Sequence, residues 1–294
     1  MYTITDGTVT SDSILCEIVD IYKIFHVKNV ISYEYCIPNF NSWAIHTTPS
    51  EDSGQIYLII DTFFDEAFSH WVYESAIYLP LFILLRERYP TIKICLKTKR
   101  SYKLLFCKIY NIPEESIVYS LDSTNTCIFP SPISAMNDKH ICSEYIEQLT
   151  RFYTHFSQIS RIVPKTNDIV LMPRQRKENY DGNRREYPME NLIDYISSKE
   201  DSIILHTDTI TDLQEQIQTV ASAKSLIVTD GSACLVNGMF ASSAKIHVFG
   251  KVTLWQASEY PKLHKVRELS TSLNNNTYVQ YDTELEILNI IRQE

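Results

Sequence analysis

The order of apolar and polar positions changes character along the chain. Residues 1–55 carry short alternating stretches such as TITDGTVT and KNVISYEYCI, punctuated by Pro38, Pro49 and Gly54, which predict strands and loops. From residue 56 apolar runs alternate with helical spacing. IYLIID (56–61) reads as a buried strand, HWVYESAIYLPLFILLRERY (70–89) as one long helix, TIKICLK (91–97) as a strand and YKLLFCKIYN (102–111) as a helix. IPEESIVYS and TCIFPSP add two strand-like pieces. In CSEYIEQLTRFYTHFSQI (142–159), Tyr145, Ile146, Leu149, Phe152, Tyr153 and Phe156 recur at helical intervals, and the VPKTND that follows predicts a domain boundary near residue 164.

Beyond that point the alternation restarts. DIVLMPR (168–174), SIILHT (202–207), SLIVTD and AKIHVFG (244–250) read as strands, with MENLIDYISS, DLQEQIQTVAS and ACLVNGMFA as the helices between them. Such alternation covers a parallel sheet with helices, and this second unit has the character of a nucleotide-binding domain. In the closing ELEILNIIRQE (284–294), Leu285, Ile287, Leu288 and Ile291 share one face, so it docks as a last helix, with the N-terminal domain one place for it. The expectation is an α/β protein of two domains, residues 1–164 and 165–294, facing each other across a cleft.

Composition narrows the partners. The chain has 294 residues, 44% of them apolar and 21% charged, so it folds by burying apolar surface. Its formal charge of −9 argues against nucleic acid or an anionic membrane as the main partner, and makes any phosphate site a local feature. Seven cysteines lie scattered without a CxxC, which predicts reduced thiols rather than a zinc site or a disulfide framework. The N-terminus lacks the basic and apolar regions of a secretory signal, and the longest apolar run, AIYLPLFILL, falls short of the ~20 residues that cross a bilayer. A cytoplasmic protein without a transmembrane segment is expected.

Ligands of open α/β sheets bind beyond the carboxyl ends of the strands, which singles out Arg174, Asp208 and the turn Asp230-Gly231-Ser232-Ala233. Gly231 permits a tight turn and close ligand approach, and the helix behind it offers unpaired N–H groups and a positive dipole end, a setting that suits a diphosphate. The same residues would also serve as an ordinary helix cap. Neither GxGxxG nor GxxxxGK[ST] occurs. PRQRKENYDGNRREYP (173–188) concentrates Arg174, Arg176, Lys177, Arg184 and Arg185 after a strand, and guanidinium groups grip phosphate oxygens in pairs. His70 and Glu74 stand four apart on a helix, an arrangement that suits an imidazole held by a carboxylate, or a carboxylate base with a polar neighbour. With no HExxH, DxD or Cys/His cluster, neither a metal nor a cofactor is expected.

In FSHWVYESAIYLPLFILL, in VLMPRQ followed by NRREYPMENLIDYI, and in DLQEQIQTVASAKSLIVTDGSACLVNGMF, the chain resembles the family 61 glycosyltransferases, including their capsular-polysaccharide type, over roughly residues 55–250. The resemblance implies a GT-B fold of two facing Rossmann-like domains with the active site in the interdomain cleft. It also implies inverting, metal-independent transfer from a nucleotide-sugar donor, such as UDP-xylose or UDP-N-acetylglucosamine, to a glycan hydroxyl. By matching positions, His70 and Glu74 fall on the family's helix motif as catalytic residues, either one the base. Arg174 with Arg184 or Arg185 falls on its basic motif, and Gly231, Ser232 and Asn237 on its small-residue turn, all on the donor side. Where the family commonly has His-Gly, this chain has Asp230. A non-catalytic nucleotide-sugar or glycan-binding module of the same fold is the competing reading, and Asp230 is its support; the missing glycine fingerprint disfavours a nicotinamide-dependent enzyme.

Overall fold

The computed structural model describes residues 2–5, 8–11, 14–28, 30–34, 44–47, 54–61, 66, 68–122, 124–131, 142–173, 187–206, 212–250 and 261–293. They form an α/β protein that divides into two compact units, Met1–Phe152 and Tyr153–Glu294.

The first unit opens with the strands expected of its alternating segments. β1 (Tyr2–Thr5) and β2 (Thr8–Ser11) form an antiparallel pair. β3 (Ile14–Val19) and β4 (Tyr22–Lys28) form another, and β5 (Val30–Glu34) pairs with β6 (Ala44–Thr47). The strand–helix alternation follows: β7 (Gln55–Ile59), α1 (Phe68–Glu74), α2 (Leu79–Arg88), β8 (Lys93–Cys95), α3 (Ser101–Ile109), β9 (Ile117–Val118), β10 (Asn125–Ser131) and α4 (Ser143–Arg161). The main sheet has the order β3-β4-β10-β7-β8-β9. β10 runs antiparallel to β4 and parallel to β7, so a parallel half, β9-β8-β7-β10, carries the antiparallel β3-β4 pair on its edge.

The single helix expected over 70–89 is two helices, separated by a tight 3-10 turn at Ala76–Tyr78. Pro80 explains the break: lacking an N–H and crowding the carbonyl four residues back, it is excluded from a helix interior and fits the first turn of α2. The stretch Phe68–Arg88 has the length and mean hydropathy, 1.2, of a membrane span, yet 72% of that window is buried inside the protein. Trp71 lies edge-on to Tyr102 and Phe106, and Phe106 stacks on Phe152 of α4. The division between units falls inside α4 rather than after it. Its N-terminal part belongs to the first core, with the Tyr145 hydroxyl donating to the Tyr73 carbonyl at 2.9 Å, whereas Phe156 packs on Phe240 of the second.

The second unit is regular: β11 (Asn167–Met172), α5 (Glu190–Ser197), β12 (Ser202–Ile204), α6 (Leu213–Ala221), β13 (Ala223–Thr229), α7 (Ser232–Phe240), β14 (Lys245–Phe249), α8 (Pro261–Asn274), β15 (Thr277–Tyr281) and α9 (Glu284–Ile291). All pairings are parallel and the order is β12-β11-β13-β14-β15. Side chains alternate across the sheet. Leu171, Ile227, Phe249 and Tyr281 meet Met189, Leu192 and Ile196 beside α5 and Ile287, Leu288 and Ile291 of α9, which places the tail helix on the core of its own unit. Leu226 and Val228 alternate with Ile227 along β13, and α6, α7 and α8 pack in succession. The helix and strand α8 and β15 had no counterpart among the sequence expectations. α8 has few apolar positions, buried Leu263, Val266 and Leu269, and β15 is an edge strand exposed along much of its length.

Candidate functional site

In the second unit the chain goes from β11 outward to β12, then returns past β11 to β13. The strand order therefore reverses between β11 and β13, and at such a switch point the connections leave a crevice beyond the carboxyl ends of the two strands. The turn Asp230-Gly231 leads from β13 straight into α7 at this edge.

Gly231 has φ 85° and ψ −140°, backbone that a side-chain-bearing residue adopts only with strain, and a methyl group there would meet nothing within 4 Å. The glycine is thus required by conformation, and the space beside it is open. It caps α7 without a side-chain hydrogen bond, so the first N–H groups of the helix, which have no intrahelical partner, and the positive end of the dipole lie at the crevice.

Asp230 is engaged by its neighbours. It is 2% exposed, its N–H donates to the Phe249 carbonyl at 3.0 Å, and its Oδ1 accepts a hydrogen bond from the Tyr187 hydroxyl. Gly250, at the carboxyl end of β14 with φ 129°, makes this possible: a Cβ there would stand 2.8 Å from Tyr187 Cε1 and 3.0 Å from Asp230 Cγ. The Gly250 N–H donates to the Tyr281 carbonyl at 3.0 Å and its own carbonyl accepts from Gln280 Nε2 at 2.8 Å, while the Tyr187 ring tilts against Phe249. The ends of β13, β14 and β15 are tied together, and Tyr187 is seated on them. Sequence reasoning reached Asp230 and Gly231 but missed Tyr187, Gly250 and Gln280; a glycine directly after the fourth strand was the one available signal.

Ser232 and Ala233 begin α7. Asn237 is six residues beyond Gly231, about 9 Å along the helix axis, and its Oδ1 accepts from Gln216 Nε2 at 2.7 Å in the buried seam between α6 and α7. The structure therefore brings Asp230 and Gly231 to the switch point and places Asn237 in the helix packing. Arg174, Arg184, Arg185 and Asp208 lie outside the described residues.

The first unit has a reversal of its own, between β7 and β10. Beyond β7, buried Asp61 accepts from Trp71 Nε1 at 2.7 Å, from the Lys97 N–H at 2.7 Å and from Lys103 Nζ at 2.8 Å. Lys103 also donates to Thr98 Oγ1 at 3.0 Å, and neither charged side chain is exposed. The Trp71 bond fastens α1 to the carboxyl end of β7, which sets His70, one residue earlier, at that edge. His70 Nδ1 lies 2.7 Å from Glu74 Oε1, with His70 24% exposed and Glu74 fully buried. A carboxylate facing Nδ1 favours the tautomer that carries its proton there, so Glu74 fixes the orientation of the ring. Burial keeps the Tyr78 hydroxyl protonated far above its usual range, with Tyr145, Cys142, Tyr22 and Glu74 adding to the effect.

Among the described residues no group of three or more His, Cys, Asp or Glu is disposed to hold a metal ion. Cys95, Cys107, Cys127, Cys142 and Cys234 are in no disulfide, and burial pushes Cys107 up to about 12, far from the reactive thiolate range. No protein-family model matches the chain, and no curated protein matches it.

Proposed function

We propose that this chain is an inverting glycosyltransferase of the GT-B kind, similar to family 61, which takes a sugar from a nucleoside-diphosphate donor to a glycan hydroxyl. One observation carries the reading. The five-stranded parallel sheet of the second unit sets the positive-φ Gly231 and the N-terminus of α7 at its topological switch point, where phosphate-bearing ligands of such sheets are held. The donor diphosphate lies against this turn, and Arg174, Arg184 and Arg185 supply cations from the segment between β11 and Tyr187. The first unit serves as the acceptor side.

In the reaction the acceptor oxygen attacks the anomeric carbon, the bond from that carbon to the diphosphate breaks with its electron pair leaving on the phosphate oxygen, and the acceptor proton passes to the His70 imidazole. The pair Glu74 and His70 divides the labour: Glu74, buried and facing Nδ1, orients the ring, and the more exposed imidazole is the base. Charge developing on the leaving group is met by the α7 N–H groups and the arginines, so no metal is required.

Incubation with a panel of nucleotide sugars, with and without chelator, tests this by release of nucleoside diphosphate. Turnover should survive chelation, and His70→Ala should lower it about 10²- to 10⁴-fold while nucleotide binding persists. Stabilisation by nucleotide without turnover on any acceptor would favour the non-catalytic binding module. The proposal fails if no nucleotide sugar binds or reacts.

A further inference from the structure

An aspartate beside a diphosphate needs an explanation, since its charge repels the ligand unless the carboxylate is otherwise engaged. Here it is engaged. Asp230 is almost wholly buried, its Oδ1 receives the Tyr187 hydroxyl, and its backbone is fixed to Phe249. Gly250 leaves the space that this hydrogen bond occupies, because a side chain there would collide with both partners. Along the chain, Tyr187 lies two residues after Arg185 within the basic segment, and Arg174 follows Pro173, the residue after β11.

We infer that Asp230 is a positioning residue: its carboxylate seats Tyr187 on the carboxyl ends of β13 and β14, next to the Gly231 turn, and does not itself bind the nucleotide held at Gly231. This rests on the reading of that turn as a diphosphate site. It explains why an acidic residue is tolerated there, and it makes Tyr187 the residue through which Asp230 acts. What the site requires at position 230 is a hydrogen-bond acceptor, and the negative charge is an incidental cost.

The test is UDP binding by calorimetry to the full chain. Asp230→Asn keeps an acceptor for Tyr187 and removes the charge, so its affinity should equal the wild type or exceed it by about two- to tenfold. Tyr187→Phe and Asp230→Ala should each weaken binding, by about tenfold, and the double variant should be no weaker than either single one. Loss of binding in Asp230→Asn as large as in Asp230→Ala, with Tyr187→Phe unaffected, overturns the inference, because Asp230 would then be a ligand group. If wild-type protein binds no UDP, the functional reading has failed and the pair is judged by urea unfolding. Coupled losses in the Tyr187→Phe and Asp230→Ala cycle, rescued by Asp230→Asn, support the seat; additive losses refute it.

Discussion

Asp61 shows how a single carboxylate organises the edge of a sheet. It accepts hydrogen bonds from an indole, a backbone amide and a buried ammonium, brought by α1, by the segment after β8 and by α3. Burying the ion pair of Asp61 and Lys103 costs desolvation that its Coulomb energy and hydrogen bonds offset, so the pair adds little net stability while both partners remain. Removing one is different. Asp61→Asn leaves the Lys103 ammonium without its counter-charge and should cost about 3–5 kcal/mol in chemical unfolding of the first unit. Asp61→Leu combined with Lys103→Met should recover most of that loss; a double variant as unstable as the single one would show that the hydrogen bonds, and not the unpaired charge, set the cost. In the sequence, Asp61 ends an apolar run and Lys103 lies in a helical one, and nothing marks them as partners because they meet 42 positions apart.

At the scale of elements, Asn274, the last residue of α8, and Asn276 just beyond it do the work of caps. Asn276 Oδ1 accepts from the Ala244 N–H at 3.0 Å, and its Nδ2 reaches the Gly238 and Ala241 carbonyls at 3.1 Å and Ser270 Oγ at 3.0 Å. Asn274 Nδ2 donates to the Met239 and Ala241 carbonyls at 2.9 and 2.7 Å, and Asn275 between them takes φ 56°, left-handed backbone that asparagine tolerates. These bonds satisfy carbonyls that the end of α7 leaves without helical partners, and they hold α7, α8 and β14 together. Asn276→Ala strands several buried groups and should lower the stability of the second unit by about 3 kcal/mol, read as a shifted urea midpoint with unchanged slope. Helix α7 itself was legible, since apolar spacing set its body and the glycine its start. Helix α8 was not. Among its buried polar residues, Ser270 and Asn274 face hydrogen-bond partners instead of an apolar core, so the periodicity that reveals a helix is faint there.

For the whole molecule, buried titratable groups shape the pH dependence of stability. Burial lowers the His155 pKa below its ordinary 6.5, so the folded state holds the ring neutral where the unfolded chain protonates it. The unfolded state then binds more protons, and the contribution, complete above pH 6.5, is lost as pH falls through the folded-state value. Burial also lowers Lys165, which caps the Ala221 and Ala223 carbonyls, to about 8. Between pH 8 and 10.5 the unfolded chain again holds the extra proton, and stability rises with pH. Above pH 10 the buried hydroxyls of Tyr22, Tyr78 and Tyr110, kept protonated by desolvation, reverse that trend. Urea midpoints should therefore climb from pH 5 to 7 and again from 8 to 9.5; His155→Gln should reduce the first climb, to which His26, likewise lowered by burial, also contributes, and Lys165→Met should flatten the second.

What the sequence determined by itself was local: most of the strands and helices, that two α/β units follow one another, and that Gly231 opens a helix at a strand end. Period-two and helical spacing record burial within one element, and a glycine records a backbone need of its own residue. Only the tertiary structure decided the strand orders, and hence that Gly231 stands at a switch point rather than at any other strand end. It alone paired Asp61 with Lys103 and turned Asp230 toward Tyr187. Sheet order and side-chain partnership depend on which distant segments meet, and in this chain those contacts span 42 and 43 positions.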